Sequence, residues 1–219
     1  MTDITIPNIT FAYNASYDLI FQELFEAKKK NWTALSIAGV NREHYPAPDE
    51  TKARMSEIKS RRDVNGYDML KIIAEALGVW RKQKHIKCLV IGYCHLFGAM
   101  ALPLTVNSHY PGSIDFIWSV AVTHEMIHLI QQENPHTKKP YCQAVDEKFG
   151  LNVSLGIHSL VFAAQNVVFE KTGRQGYIND IIIHYKGKEE VKIREFIQAY
   201  GSDPLLKTFQ EINKKARQT

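Results

Sequence analysis

The chain has 219 residues, enough for one well-buried core, with 45 % apolar and 23 % charged residues and a formal charge of +4. So mild a charge permits an anionic partner without requiring one. Three cysteines (Cys88, Cys94 and Cys142) cannot all pair and show no CxxC spacing, which excludes a disulfide framework and a zinc ribbon. No apolar run is long enough to span a bilayer and the first residues carry no basic-then-apolar leader, so the expected setting is a reducing cytoplasm without membrane contact.

In chain order, residues 1–12 alternate weakly through Ile4, Ile6, Ile9 and Phe11 and suit a short strand or extended arm. A helix is expected from Ser16, with Leu19, Ile20, Leu24 and Phe25 on its apolar face and Lys28 to Lys30 at its C-terminal dipole end. Pro46 and Pro48 punctuate a loop, a charged helix runs from Asp49 to Arg62, and Asn65-Gly66 turns the chain. A third helix, Asp68 to Leu77, carries a stripe of Leu70, Ile73, Ala74 and Leu77 and stops at Gly78. The period then changes. His85 to Gly92 and Ala101 to Ser108 read as strands.

Ser113 is placed to cap a long apolar helix that Pro135 ends near Asn134. Shorter helices follow over Lys139 to Phe149, with Gly150 as its C-cap, and over Ser159 to Lys171, closed by Gly173. Ile181 to Ile183 and Val191 to Phe196 suggest a late hairpin, and Asp203 to Lys215 a final amphipathic helix.

Inside the long apolar helix stands Thr123-His124-Glu125-Met126-Ile127-His128, an HExxH pattern. Residues four apart lie nearly one above the other on a helix, so His124 and His128 present their imidazoles on one face. That pair suits a divalent zinc ion, and Glu125 beside it can take a proton from an activated water. A bare coincidence of these residues would bury polar groups among Trp118, Val120, Val122, Ile127 and Leu129 without partners, a cost that a metal removes for all of them together.

Catalytic zinc usually takes three protein ligands, and the residues leave several candidates for the third. His136 follows His128 by only eight residues, with no glycine to reverse the chain at once. Asp146 or Glu147 would supply a carboxylate from a charged helix. His158, in Gly156-Ile157-His158-Ser159, sits just before the helix expected from Ser159, a rigid mount reached by a long connection.

A helical HExxH, then His158-Ser159-Leu160-Val161-Phe162 opening a helix, then Thr172-Gly173 before Ile181 to Tyr185 resembles the SprT-like zinc metallopeptidases, which include the Spartan proteases acting on DNA–protein crosslinks. Ala101 to Ser108 is similar to that family's strand before the active-site helix. The likeness covers about the middle half of the chain. A second alignment places His136 at the third-ligand position, and the C-terminal zinc ribbon of many members is absent.

The resemblance implies a zincin-like α+β fold, helix-rich with a small mostly antiparallel sheet and a central HExxH helix. It implies one domain over residues 1–219: an N-terminal helical part at 1–80, a catalytic core at 85–173 and a hairpin and helix at 174–219. It implies a zinc metallopeptidase with Zn2+ on His124, His128 and His158, Glu125 as catalytic base, and protein or peptide substrates that include DNA-associated proteins. Two other readings stay open. One is a gluzincin-like peptidase that cleaves a repressor, with Glu147 as ligand. The other is a nucleic-acid-binding protein with a structural metal site, using the basic helix ends at Lys28 to Lys30, Arg61-Arg62 and Lys214 to Arg217.

Overall fold

The computed structural model describes residues 6–29, 44–79, 84–94, 99–110, 112–151, 156–177, 188–216 and 218. Its elements in chain order are β1 (Asn8–Tyr13), α1 (Ala15–Lys29), α2 (Pro48–Arg61), a π-helical stretch (Arg62–Gly66), α3 (Tyr67–Leu77), β2 (His85–Ile91), β3 (Ala99–Met100) and β4 (Thr105–Asn107). There follow α4 (Ile114–Phe116), a second π-helical stretch (Ile117–Val122), α5 (Thr123–Glu133), α6 (Pro135–Phe149), α7 (Gly156–Thr172), α8 (Lys188–Tyr200) and α9 (Asp203–Ala216). This is a helix-rich α+β chain with one small sheet. It divides into two compact units, a sheet unit of Pro7–Tyr67 and Gln83–Glu125 and a helical unit of Asp68–Lys82 and Met126–Thr219. The division falls inside α5.

In the sheet unit the strand order is β1-β2-β4-β3. Among the described residues β1 and β4 both run parallel to β2, and the β3–β4 pair is antiparallel. The expected mostly antiparallel sheet is therefore corrected to a mixed one in which parallel pairs predominate. Parallel neighbours need a crossover, and α1, α2 and α3 supply one between β1 and β2. The strand expected over Ala101 to Ser108 shrinks to Thr105–Asn107, because Ala101 to Leu104 turn the chain back from β3 around a cis Leu102–Pro103 bond.

The apolar face of α1 also differs from expectation. Leu19, Ile20 and Leu24 are exposed, while Asp18, Phe21 and Phe25 are buried. Asp18 is drawn inward by hydrogen bonds from the Tyr13 hydroxyl (3.0 Å), the Gly92 amide (2.7 Å) and the Tyr45 hydroxyl. Asn65-Gly66 makes no turn, since it lies within helical backbone. A Cβ on Gly66 would stand 3.1 Å from the Trp118 ring, so this position keeps the indole's neighbour small. Trp118 is fully buried, donates its indole N–H to the Ile58 carbonyl at 2.7 Å and meets the Phe11 ring edge-on at 5.9 Å. It anchors the π-helical stretch that leads into α5. The Ser113 hydroxyl accepts from the Phe116 amide at 3.1 Å, the expected cap, and Arg61 pairs with Asp115 in the first turn.

The helical unit is built from amphipathic faces. The α3 stripe of Leu70, Ile73, Ala74 and Leu77 is fully buried, as its spacing requires. Leu160, Val161, Ala163, Ala164 and Val168 of α7 are fully buried, and Leu205, Leu206 and Phe209 of α9 are buried with them. Gln210 of α9 donates to the Ala76 carbonyl at 2.8 Å, satisfying a carbonyl that the end of α3 leaves over. α6 begins at Pro135 rather than Lys139 and contains Pro140, and Gly150 ends it at φ +63°.

The hairpin expected near the C-terminus is not formed by Val191 to Phe196, which is helical within α8. Its buried residues Ile193, Arg194 and Ile197 are spaced for one helix face, a period that outweighs the short β-like run. Ile181 to Ile183 lie outside the described residues. No helix among the described residues is long and apolar enough to cross a membrane.

Candidate metal centre

The HExxH segment is helical throughout, as the first turns of α5. The six-residue π-helical stretch before it has a wider turn than an α-helix and so resets the angular position of every residue that follows. Thr123, fully buried, returns its hydroxyl to the Ser119 carbonyl at the junction. His124 and His128 then fall one above the other.

His158 enters from α7. That helix begins at Gly156 rather than Ser159, so His158 lies within its first turn instead of just before it. One ligand nitrogen from each of His124, His128 and His158 lies within 4.8 Å of the others. The His128 and His158 rings meet edge-on at 5.3 Å. Two nitrogens bound tetrahedrally to one zinc at about 2.1 Å stand roughly 3.4 Å apart, a spacing that small ring rotations reach from here. Among the described residues this is the group of His, Cys, Asp and Glu side chains placed to hold a metal ion.

The electrostatics suit a cation. Burial, then the neighbouring His158, pushes the His128 pKa down to about 4, although a hydrogen bond with Gln131 works the other way. Burial also lowers His158, opposed by Glu190. Both rings are thus neutral at physiological pH, with a lone pair to offer. Glu125 is half-buried, and loss of water pushes its carboxyl pKa up to about 8. The His128 Nδ1 stands 3.2 Å from the Gln131 side-chain oxygen, which fixes the ring's orientation and leaves its other nitrogen to the cluster. Gln131 carries its own signal in the sequence, a polar residue one turn past His128 on the same face.

The other candidates stand elsewhere. His136, Asp146 and Glu147 are exposed on α6 and do not join the group. Tyr141, two per cent exposed, shares a hydrogen bond with the Ser159 hydroxyl at 3.1 Å and packs against Phe209, so it braces the residue after His158 from within the core. His109 is held 3.0 Å from the Gly92 carbonyl and 2.9 Å from the Ser108 hydroxyl. Of the basic helix ends, Arg61 pairs with Asp115 and Arg62 with Asp63, while Lys214 and Lys215 are exposed. The side chains of Lys28 to Lys30 and of Arg217 lie outside the described residues. No family model, no curated protein and no solved structure matches this chain.

Proposed function

We propose that the protein is a zinc-dependent, zincin-like peptidase of the SprT type. The observation that carries this reading is the convergence of three imidazoles, with a glutamate short of water standing between two of them in the sequence. A three-imidazole set is the donor chemistry of catalytic zinc, which leaves one position open. When bound, the ion supplies Lewis-acid activation of water and of a carbonyl.

The chain's own residues do the rest. His124, His128 and His158 fix the ion, and Gln131 holds His128 in register. Glu125 accepts the proton of the attacking water and returns it to the leaving amine. Substrates on this reading are peptide bonds in proteins, DNA-associated proteins among them.

The test titrates purified protein with zinc, then assays cleavage of denatured proteins with and without chelator and DNA. About one zinc per chain and chelator-sensitive cleavage are expected. Folded protein that takes up no zinc ends the metal assignment. Zinc-loaded protein that leaves every denatured substrate intact ends the peptidase assignment.

A further inference from the structure

The α7 face that carries His158 continues into a cavity of about 280 Å³ within the helical unit. From α7 come Phe162, Gln165, Asn166, Phe169 and Glu170, at helical spacing from His158. α8 contributes Arg194, Ile197 and Gln198 to the lining. Phe162 is the common wall of the two places. Its ring stacks on His158 at 5.8 Å and lies 5.9 Å from the Arg194 guanidinium carbon.

The chemistry of the lining is selective. Phe162, Phe169 and Ile197 give an apolar body, and Gln165, one per cent exposed, adds an amide. Arg194 is seven per cent exposed and stays charged at any working pH, with five donors in a planar fork that can serve more than one acceptor. The acidic lining residue, Glu170, is exposed at the rim, where its carboxylate accepts from the Asn166 amide at 2.7 Å. Asn166 is also held by Ser202 at 3.0 Å, so the rim is fixed and the cation lies inside it. An apolar pocket with one buried guanidinium matches a carboxylate on a short hydrocarbon stem.

We propose that this cavity is a specificity pocket for a carboxylate carried by the peptide substrate, two or three residues from the bond cleaved. Extended peptide advances roughly 3.4 Å per residue, which suits a carboxylate next to Arg194 when the reacting bond is near His158. The carboxylate is either an acidic side chain or the peptide's own C-terminus. The proposal rests on the peptidase reading above, and its test separates the two.

Binding is measured by calorimetry on metal-free wild-type protein, which cannot turn substrate over by the proposed route. Three short peptides are compared: internal Glu with an amidated end, internal Gln with a free C-terminal carboxylate, and internal Gln with an amidated end. One of the two carboxylate peptides should bind about tenfold more tightly than the uncharged one, and whichever does identifies the source. Arg194→Gln should reduce that margin to below about twofold. Gln198→Trp, made at an exposed rim position so that folding is preserved, should do the same by blocking the mouth. Equal binding of all three peptides to folded wild-type protein overturns the pocket, whatever hydrolysis shows. A margin intact in Gln198→Trp places the binding elsewhere and overturns it too. If the margin behaves as expected but zinc-loaded protein cleaves none of the peptides, the carboxylate site stands and its role in peptide cleavage falls.

Discussion

Asp18 and Glu125 show how differently this chain treats a carboxylate that has lost water. Asp18 in the sheet unit is four per cent exposed, yet it is surrounded by donors: the Tyr13 and Tyr45 hydroxyls and the Gly92 amide. Burial and then the hydrogen bond to Asp18 push the Tyr13 pKa up to about 12 and raise Tyr45 as well, so the phenols stay protonated and keep donating. Glu125 on α5 has lost water too, and burial drives its pKa up to about 8. One acid is met by fixed donors and ties β1, α1 and the end of β2 together. The other stands short of water, next in sequence to a histidine of a group that could hold an ion. A carboxylate with a full set of donors belongs to the fold, and one left dry beside candidate metal ligands is a candidate for chemistry.

Changing each acid separately tests that contrast, and the largest effect is expected at Glu125. Glu125→Gln should retain zinc, read by metal analysis, while peptide hydrolysis falls on the order of 10²–10⁴-fold. Full activity in the zinc-loaded variant would remove Glu125 from the mechanism. Next in size is loss of a ligand. His158→Ala should weaken zinc binding by more than about 100-fold, beyond the 10–100-fold typical of losing a residue that only orients a ligand. His136→Ala and Glu147→Ala, on the exposed face of α6, should leave zinc affinity unchanged. A larger loss from Glu147→Ala than from His158→Ala would favour a two-histidine, one-carboxylate site.

How much of this could be read beforehand depends on how local the deciding interaction is. The HExxH pair, the Ser113 cap, the α3 stripe and the stops at Gly150 and Gly173 are set by neighbours within a turn or two, and each was visible in the sequence. The inward face of α1 was not. It is chosen by Asp18 finding Tyr45 and Gly92, 27 and 74 residues away, and that contact leaves Leu19, Ile20 and Leu24 in solvent. Strand direction was illegible for a similar reason, because a crossover depends on where three helices pack. Of the site, the two α5 histidines followed from spacing, whereas His158 was one of several candidates until α7 brought it to them. Arg194 was hidden by reading Val191 to Phe196 as a strand, which would not have set it facing α7.

A smaller effect is expected from the structural acid. Asp18→Asn puts an amide donor where the carboxylate met three donors, so at least one buried donor loses its acceptor. The cost should be about 2 kcal/mol, or a melting temperature lower by roughly 5 °C. Zinc content and hydrolysis measured well below the melt should not change. A fall in zinc content in folded Asp18→Asn would mean that the two acids are not independent.

The effect that most directly probes the dryness of Glu125 lies in the pH dependence of stability without metal. The folded-state pKa of about 8 lies above the ordinary value of 4.5, so between these pH values the folded chain binds more protons than the unfolded one. The stability cost of ionising Glu125 is therefore absent below about pH 4.5, grows as pH rises, and is complete above about pH 8. His128 works in the opposite sense over a lower window. Its folded pKa of about 4 against 6.5 means that stability is lost as pH falls from 6.5 towards 4. Comparing Glu125→Gln with wild type cancels the histidine contribution. The variant should be the more stable protein at pH 8.5, with the gap closing towards pH 4.5. Zinc should narrow the gap at pH 8.5, because a divalent cation nearby favours the charged carboxylate. An unchanged gap on zinc loading would place the ion too far from Glu125 for the two to act on one water, and equal stabilities at every pH would show that the carboxylate is not dry at all.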